Sequence, residues 1–91
     1  MNQTAKIQLK NFINNRKVKF YNNKVYSATS KGLSVFSYKQ KIKKLSLEKT
    51  YISNQDIIDF AFDSDARIWV GTEVGGLFII NKDAIKNIPI S

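Results

Sequence analysis

The chain contains no cysteine and no histidine. Their absence excludes disulfides, thiolate chemistry, zinc sites of the usual ligand set and every acid/base arrangement that depends on an imidazole. It says nothing about compartment. Acidic residues are scarce in the first half: residues 1–50 carry twelve Lys and Arg against Glu48 alone, whereas residues 51–91 carry three basic residues against six acidic ones. The halves therefore hold +11 and −3 of a net charge of +8. Such a split could mark a face for nucleic acid or another polyanion, but the plainer reading is the solvated surface of a lysine- and asparagine-rich sequence. No apolar run approaches the length of a membrane span, and MNQTAKIQLKNF at the start alternates polar and apolar residues instead of forming the apolar core of a signal peptide. The expectation is a soluble chain with no targeting signal. At 91 residues it is one small domain or a piece of a larger one, and a core this small usually needs further support.

Short apolar runs broken by turn residues are what the sequence has in quantity. Residues 57–81, IIDFAFDSDARIWVGTEVGGLFIIN, hold three such runs and read as an antiparallel meander. Asp63-Ser64-Asp65-Ala66 closes the first hairpin, because an Asp side chain bonds to the backbone just ahead of it. Gly71-Thr72 ends the run around Trp69, and Gly75-Gly76 supplies the second reversal, where positive φ costs glycine little. Upstream, strands are expected over residues 6–10, 18–20, 25–29 and 33–38, with turns at Asn22-Asn23 and Lys31-Gly32. Residues 41–47 form a further strand polar enough to be an outer edge, since lysines discourage unwanted pairing. Residues 12–15 and 51–54 are connectors, and residues 85–90, with Pro89, begin a last outer strand.

The two halves repeat. Val25-Tyr26 aligns with Ile68-Trp69 and Thr29 with Thr72, 43 residues apart, while Gly32-Leu33 aligns with Gly76-Leu77 and Val35 with Ile79 at 44. Upstream, Ile7 and Leu9 align with Leu45 and Leu47 at 38, and Ile13-Asn14-Asn15 with Ile52-Ser53-Asn54 at 39. The four-residue change of spacing places a shorter first strand or hairpin in the first repeat. Four short strands recurring every 40 to 45 residues or so is the period of a propeller blade. The expected fold is all-β, with two four-stranded antiparallel β-propeller blades: residues 1–11 are the outer strand of a preceding blade, 12–50 the first blade, and 51–91 the second with its outer strand incomplete. Two blades do not close a ring, since propellers have about four to eight.

These residues resemble the two-component regulator propeller repeat. In that family a blade runs Ile/Leu-Ser-Asn, a strand, Asp-x-Asp-Gly, Ile-Trp-Ile-Gly-Thr and a closing Gly-Gly-Leu. Here the positions read Ile52-Ser53-Asn54, Ile57, Asp63-Ser64-Asp65-Ala66, Ile68-Trp69-Val70-Gly71-Thr72 and Gly75-Gly76-Leu77. Ala66 departs, standing where the pattern has glycine. The first repeat matches through Tyr26, Thr29, Gly32 and Leu33, with Asn22-Asn23-Lys24 in place of the acidic turn. The resemblance covers roughly residues 12–81. It implies a non-enzymatic recognition module: a piece of a periplasmic sensor region of a hybrid histidine kinase binding a glycan-like ligand, or a structural interaction module of a bacterial envelope or secretion assembly. Its implied partners are further blades, from the parent chain or from other copies, together with a glycan or an envelope protein.

Each candidate site carries a plainer reading beside the functional one. Asp63 and Asp65 could hold calcium or act as paired glycosidase carboxylates, but two carboxylates in one short turn are better read as an Asx-type reversal. Tyr26 and Trp69, at equivalent positions, are expected to pack between sheets, with a sugar platform as the alternative. Thr29 and Thr72 should use their hydroxyls in local hydrogen bonds at strand ends. Gly71 is expected to be small because a neighbouring chain passes close by. Lys39, Lys41, Lys43 and Lys44 form the densest basic cluster and could contact a polyanion in a salt-sensitive way, against edge protection as the alternative. Only Tyr38 interleaves with them, so nucleic-acid stacking has little support. No cofactor is implied.

Overall fold

Left-handed turn residues cut the alternating runs into strands of five to eight residues. The structure, a computed structural model, describes residues 15–89, and these form eight strands and no helix. The strands are β1 (Asn15–Tyr21), β2 (Lys24–Thr29), β3 (Gly32–Lys39), β4 (Lys44–Tyr51), β5 (Ile57–Phe62), β6 (Ile68–Thr72), β7 (Leu77–Asn81) and β8 (Ala84–Ile88). They make two four-stranded sheets in the orders β1-β2-β3-β4 and β5-β6-β7-β8. Every neighbouring pair is antiparallel, so each sheet is a simple meander.

The two meanders turn by equivalent devices. Asn22 and Asn23 both have positive φ, 52° and 63°, the pair of values a two-residue hairpin needs to match the twist of its strands. After β2, the Thr29 hydroxyl donates to the Gly32 carbonyl at 2.7 Å and accepts the Lys31 N–H at 3.0 Å. After β6, the Thr72 hydroxyl donates to the Gly76 carbonyl at 2.7 Å and accepts the Gly75 N–H at 2.9 Å. Gly32 and Gly76 follow with φ of 101° and 85°. The hydroxyl role expected of both threonines is thus present twice, the second reversal spanning one residue more than the first.

Several strand limits differ from expectation. Residues 41–43 are a turn, with Lys43 at φ 49° and its N–H bonded to the Gln40 carbonyl, and β4 runs from Lys44 to Tyr51, past residue 47. Lysine content marks polarity, and a reversal joining Lys39 to its partner Lys44 is as polar as an edge. The contraction between repeats lies in the hairpin alone: β1 is longer than β5, but two residues link β1 to β2 where five link β5 to β6. Of Gly75 and Gly76 only the second has positive φ; at Gly75 a Cβ would collide with the Gln55 side chain. β8 stops before Pro89, which has no N–H for the ladder. The strand expected over residues 6–10 lies outside the described residues.

The sheets pack face to face. Ala28 and Leu33 of the first sheet join Ile57, Phe60, Ile68, Val70 and Ile80 of the second in one buried cluster, flanked by Tyr26, Tyr51, Phe62 and Phe78. Aromatic rings seal one end: Tyr21 stacks on Phe62 with centroids 3.9 Å apart, and Tyr26 meets Phe62 edge-on at 4.9 Å. Burying each large apolar side chain contributes roughly 1.5–3 kcal/mol, so this layer carries most of what unites the two halves. Lys19 also crosses the gap, its ammonium donating to the Phe60 carbonyl. On the far face of the first sheet Val25, Phe36 and Leu45 form a second buried cluster with Val18 and Tyr38 beside it.

Candidate functional site

Strand alternation decides which residues the second sheet turns away from the first. Phe60, Phe62, Ile68, Val70, Phe78 and Ile80 face the first sheet, so their neighbours in sequence face outward. The pairing arranges the outward residues in two rows across all four strands. One row runs Ala61, Trp69, Ile79, Lys86 and the other Asp59, Gly71, Leu77, Ile88. Trp69, Leu77 and Ile79 are half-buried, and Ile88 is 40% exposed. Among the described residues no sheet covers this face.

Trp69 is held from the side. Its indole N–H donates to Asp63 Oδ2 at 2.8 Å, and the same oxygen accepts Arg67 Nε at 2.7 Å. Asp63 Oδ1 accepts the backbone N–H groups of Asp65 at 2.9 Å and Arg67 at 3.0 Å. The Trp69 N–H, with the backbone and guanidinium donors behind it, holds the Asp63 carboxyl well below the usual carboxylate range. The expected Asx-type reversal is therefore present, with a second duty: it fixes the indole. Arg67 completes the arrangement, its guanidinium 5.9 Å from the Trp69 ring centre and 3.5 Å from Asp65 Oδ2. Among the described residues no group of three or more acidic side chains converges as cation ligands would.

A shallow cleft of about 230 Å³ opens beside Trp69, lined by Lys19, Asp59, Phe60, Ala61, Trp69 and Gly71. Gly71 forms part of its floor because nothing replaces the missing side chain: a Cβ there would meet only the Asp59 carbonyl, at 3.8 Å. Within the described residues the Asp59 carbonyl is the nearest backbone to that position. A close approach is found at Gly32, where a Cβ would lie 2.5 Å from the Tyr51 carbonyl oxygen.

Tyr26, the counterpart of Trp69, packs between the sheets, as expected of it, against Phe60 and Phe62. Burial raises its pKa. Trp69 at the equivalent place has no partner sheet among the described residues, so the two aromatics share a register position and differ in what lies over them there. Leu33 is buried in the shared core, whereas Leu77, its match, is on the open face. Lys39, Lys41, Lys43 and Lys44 are gathered at one reversal, all exposed. The residues that sequence reasoning missed are Asp59, Ala61, Lys86, Ile88 and Lys19. The alternation of β5 and β8 was the available signal for the first four, while Lys19 enters only because one sheet edge overlaps the other.

A second polar cluster ties the halves at the surface. Asp83 Oδ1 accepts from Lys49 Nζ at 3.1 Å and from the Tyr51 hydroxyl at 3.0 Å. The Lys49 hydrogen bond lowers the Asp83 pKa, and the same bond raises that of Lys49.

No family model, curated protein or solved structure matches the chain.

Proposed function

We propose that the chain is a non-enzymatic β-propeller recognition module, part of an extracytoplasmic sensor region of a two-component system that binds a glycan-like ligand. The observation that carries this reading is the equivalence of the two sheets. Thr29 with Gly32 and Thr72 with Gly76 close equivalent reversals, the second one residue longer, each with a hydroxyl that donates to the glycine carbonyl and accepts the N–H just before it, and Tyr26 and Trp69 stand at the same register position. Consecutive meanders built alike and packed face to face are what a blade repeat requires. The motifs through residues 52–77 then point to the sensor class, and a periplasmic or envelope location follows for the parent protein. A carbohydrate array probed with the purified chain tests the ligand class: retention of one glycan type supports it, and an array with no retained sugar counts against it.

The open apolar face of the second sheet favours a second reading, a structural interaction module of an envelope or secretion assembly. In that reading specificity resides in a protein surface laid over Trp69, Leu77 and Ile79.

A further inference from the structure

Cross-strand partners share a side of their sheet, so the pairing shows which side of each sheet meets the other. On the side turned away from the second sheet, the first sheet carries the row Phe20, Val25, Phe36, Leu47 across β1 to β4. The counterpart of this row is Phe62, Ile68, Ile80, Ile85, which lies on the side of the second sheet that is packed in the core. On the opposite sides Tyr26 and Val35 of the first sheet correspond to Trp69 and Ile79 of the second. Within the chain, then, the Tyr26 side of one sheet meets the Phe62 side of the other, with Tyr26 edge-on to Phe62 at 4.9 Å. The contact joins unlike sides. Among the described residues it leaves open the complementary pair, the Trp69 side of the second sheet and the Phe20 side of the first.

Exposure shows what the absent neighbour would do. Phe62, beneath Tyr21 and Tyr26, is half-buried, whereas Phe20 at the same register position is 52% exposed and meets no ring among the described residues. Leu47 ends the open row at 54% exposure much as Ile85 ends the covered one at 48%, and between the ends Val25 and Phe36 are buried as Ile68 and Ile80 are. One molecule thus holds both halves of a second Tyr26–Phe62 contact, Trp69 and Phe20, on opposite outer sides where they cannot meet. A second copy brings them together. Charge selects the same order: residues 1–50 carry +11 and residues 51–91 carry −3, so a second sheet laid on a first sheet joins opposite signs, whereas like sheets join like signs. We propose that copies of the chain stack head to tail, with the Trp69 face of one copy on the Phe20 face of the next, and close into a ring. A contact between unlike faces leaves one face free at each end until rotation brings the last copy back to the first. Each copy supplies two sheets and closed rings of such sheets hold about four to eight, so about two to four copies suffice. The contact rests on the reading of the two sheets as equivalent repeats and requires no ligand.

The test is the solution mass of the 91-residue chain, and of variants that close one face each, by light scattering over a range of concentrations. The wild type is expected as one discrete assembly above the monomer mass of 10.4 kDa. Phe20→Asp closes one face and Ile79→Asp the other, and each weakens association at least about tenfold while the circular dichroism is unchanged. Mixed in equal amounts, the two variants pair as one copy of each and go no further, because the Trp69 face of the first and the Phe20 face of the second are intact. Ile88→Asp, at an exposed position of the Trp69 face, takes the place of Ile79→Asp if that variant does not fold. A wild type that is monomeric at every concentration or grows without limit, an assembly that survives Phe20→Asp as a contact between two Trp69 faces would, or a mixture that stays monomeric overturns the proposal. A glycan retained by a monomeric chain overturns the contact and leaves the function standing, so the two fail separately.

Discussion

Asp63 shows how much of a hairpin one carboxylate can organise. It accepts from the Trp69 indole, two backbone N–H groups and the Arg67 side chain, each of which favours the ionised form. Its pKa in the folded chain lies below the value of about 4 that an unfolded chain gives. A carboxylate depressed by folding contributes stability that is fully present above the unfolded value and is lost as pH falls through the folded one. The urea midpoint of the wild type should therefore hold from neutral pH down to about 4 and decline below it. Asp63→Asn should lower the midpoint at pH 7 and flatten the acid decline, and an equally steep decline in the variant would contradict this role. The acidic turn was legible in the sequence because its bonds to Asp65 and Arg67 are local. Its hold on Trp69 crosses the hairpin, and that contact exists only once the register of β5 and β6 is set.

The turns between strands are where local chemistry and observed structure agree most closely. Ala66 has φ of 62° and donates its N–H to the Asp63 carbonyl at 3.1 Å, so the reversal needs a left-handed residue and uses one that carries a Cβ. An L-residue there costs roughly 1–2 kcal/mol, against about 0.5–1 kcal/mol for the extra freedom a glycine loses on folding. Ala66→Gly should accordingly raise the melting temperature by a few degrees, read by calorimetry, and a lower value would show that the turn relieves the strain by other means. Asn22-Asn23 and Gly76 were readable for the same reason, since few residues accept positive φ. The start of β4 was not, because lysines at 41 and 43 suit a solvated turn and an edge strand equally well. Only pairing of Lys39 with Lys44 separates the two.

For the whole molecule, repetition in the sequence foretold two sheets of four antiparallel strands, and these are present. How they stack was not written in the repeat. Period-two patterning places Tyr26 and Leu33 on one face and Val25 and Phe36 on the other, but both faces are apolar, so alternation alone does not say which one meets the second sheet. Tyr21 escaped notice for that reason: its partner Phe62 is far away in sequence and is reached only across the layer. The open face of β5–β8 follows from the same asymmetry, since among the described residues one face of the stacked pair has its cover and this one does not. The most direct test is a nuclear Overhauser measurement on the purified chain, between the ring protons of Tyr21 and Phe62 and between those of Tyr26 and Phe62. Both sets of cross-peaks should be present and intense. Intact strand-to-strand cross-peaks within each sheet with none between the sheets would contradict the account.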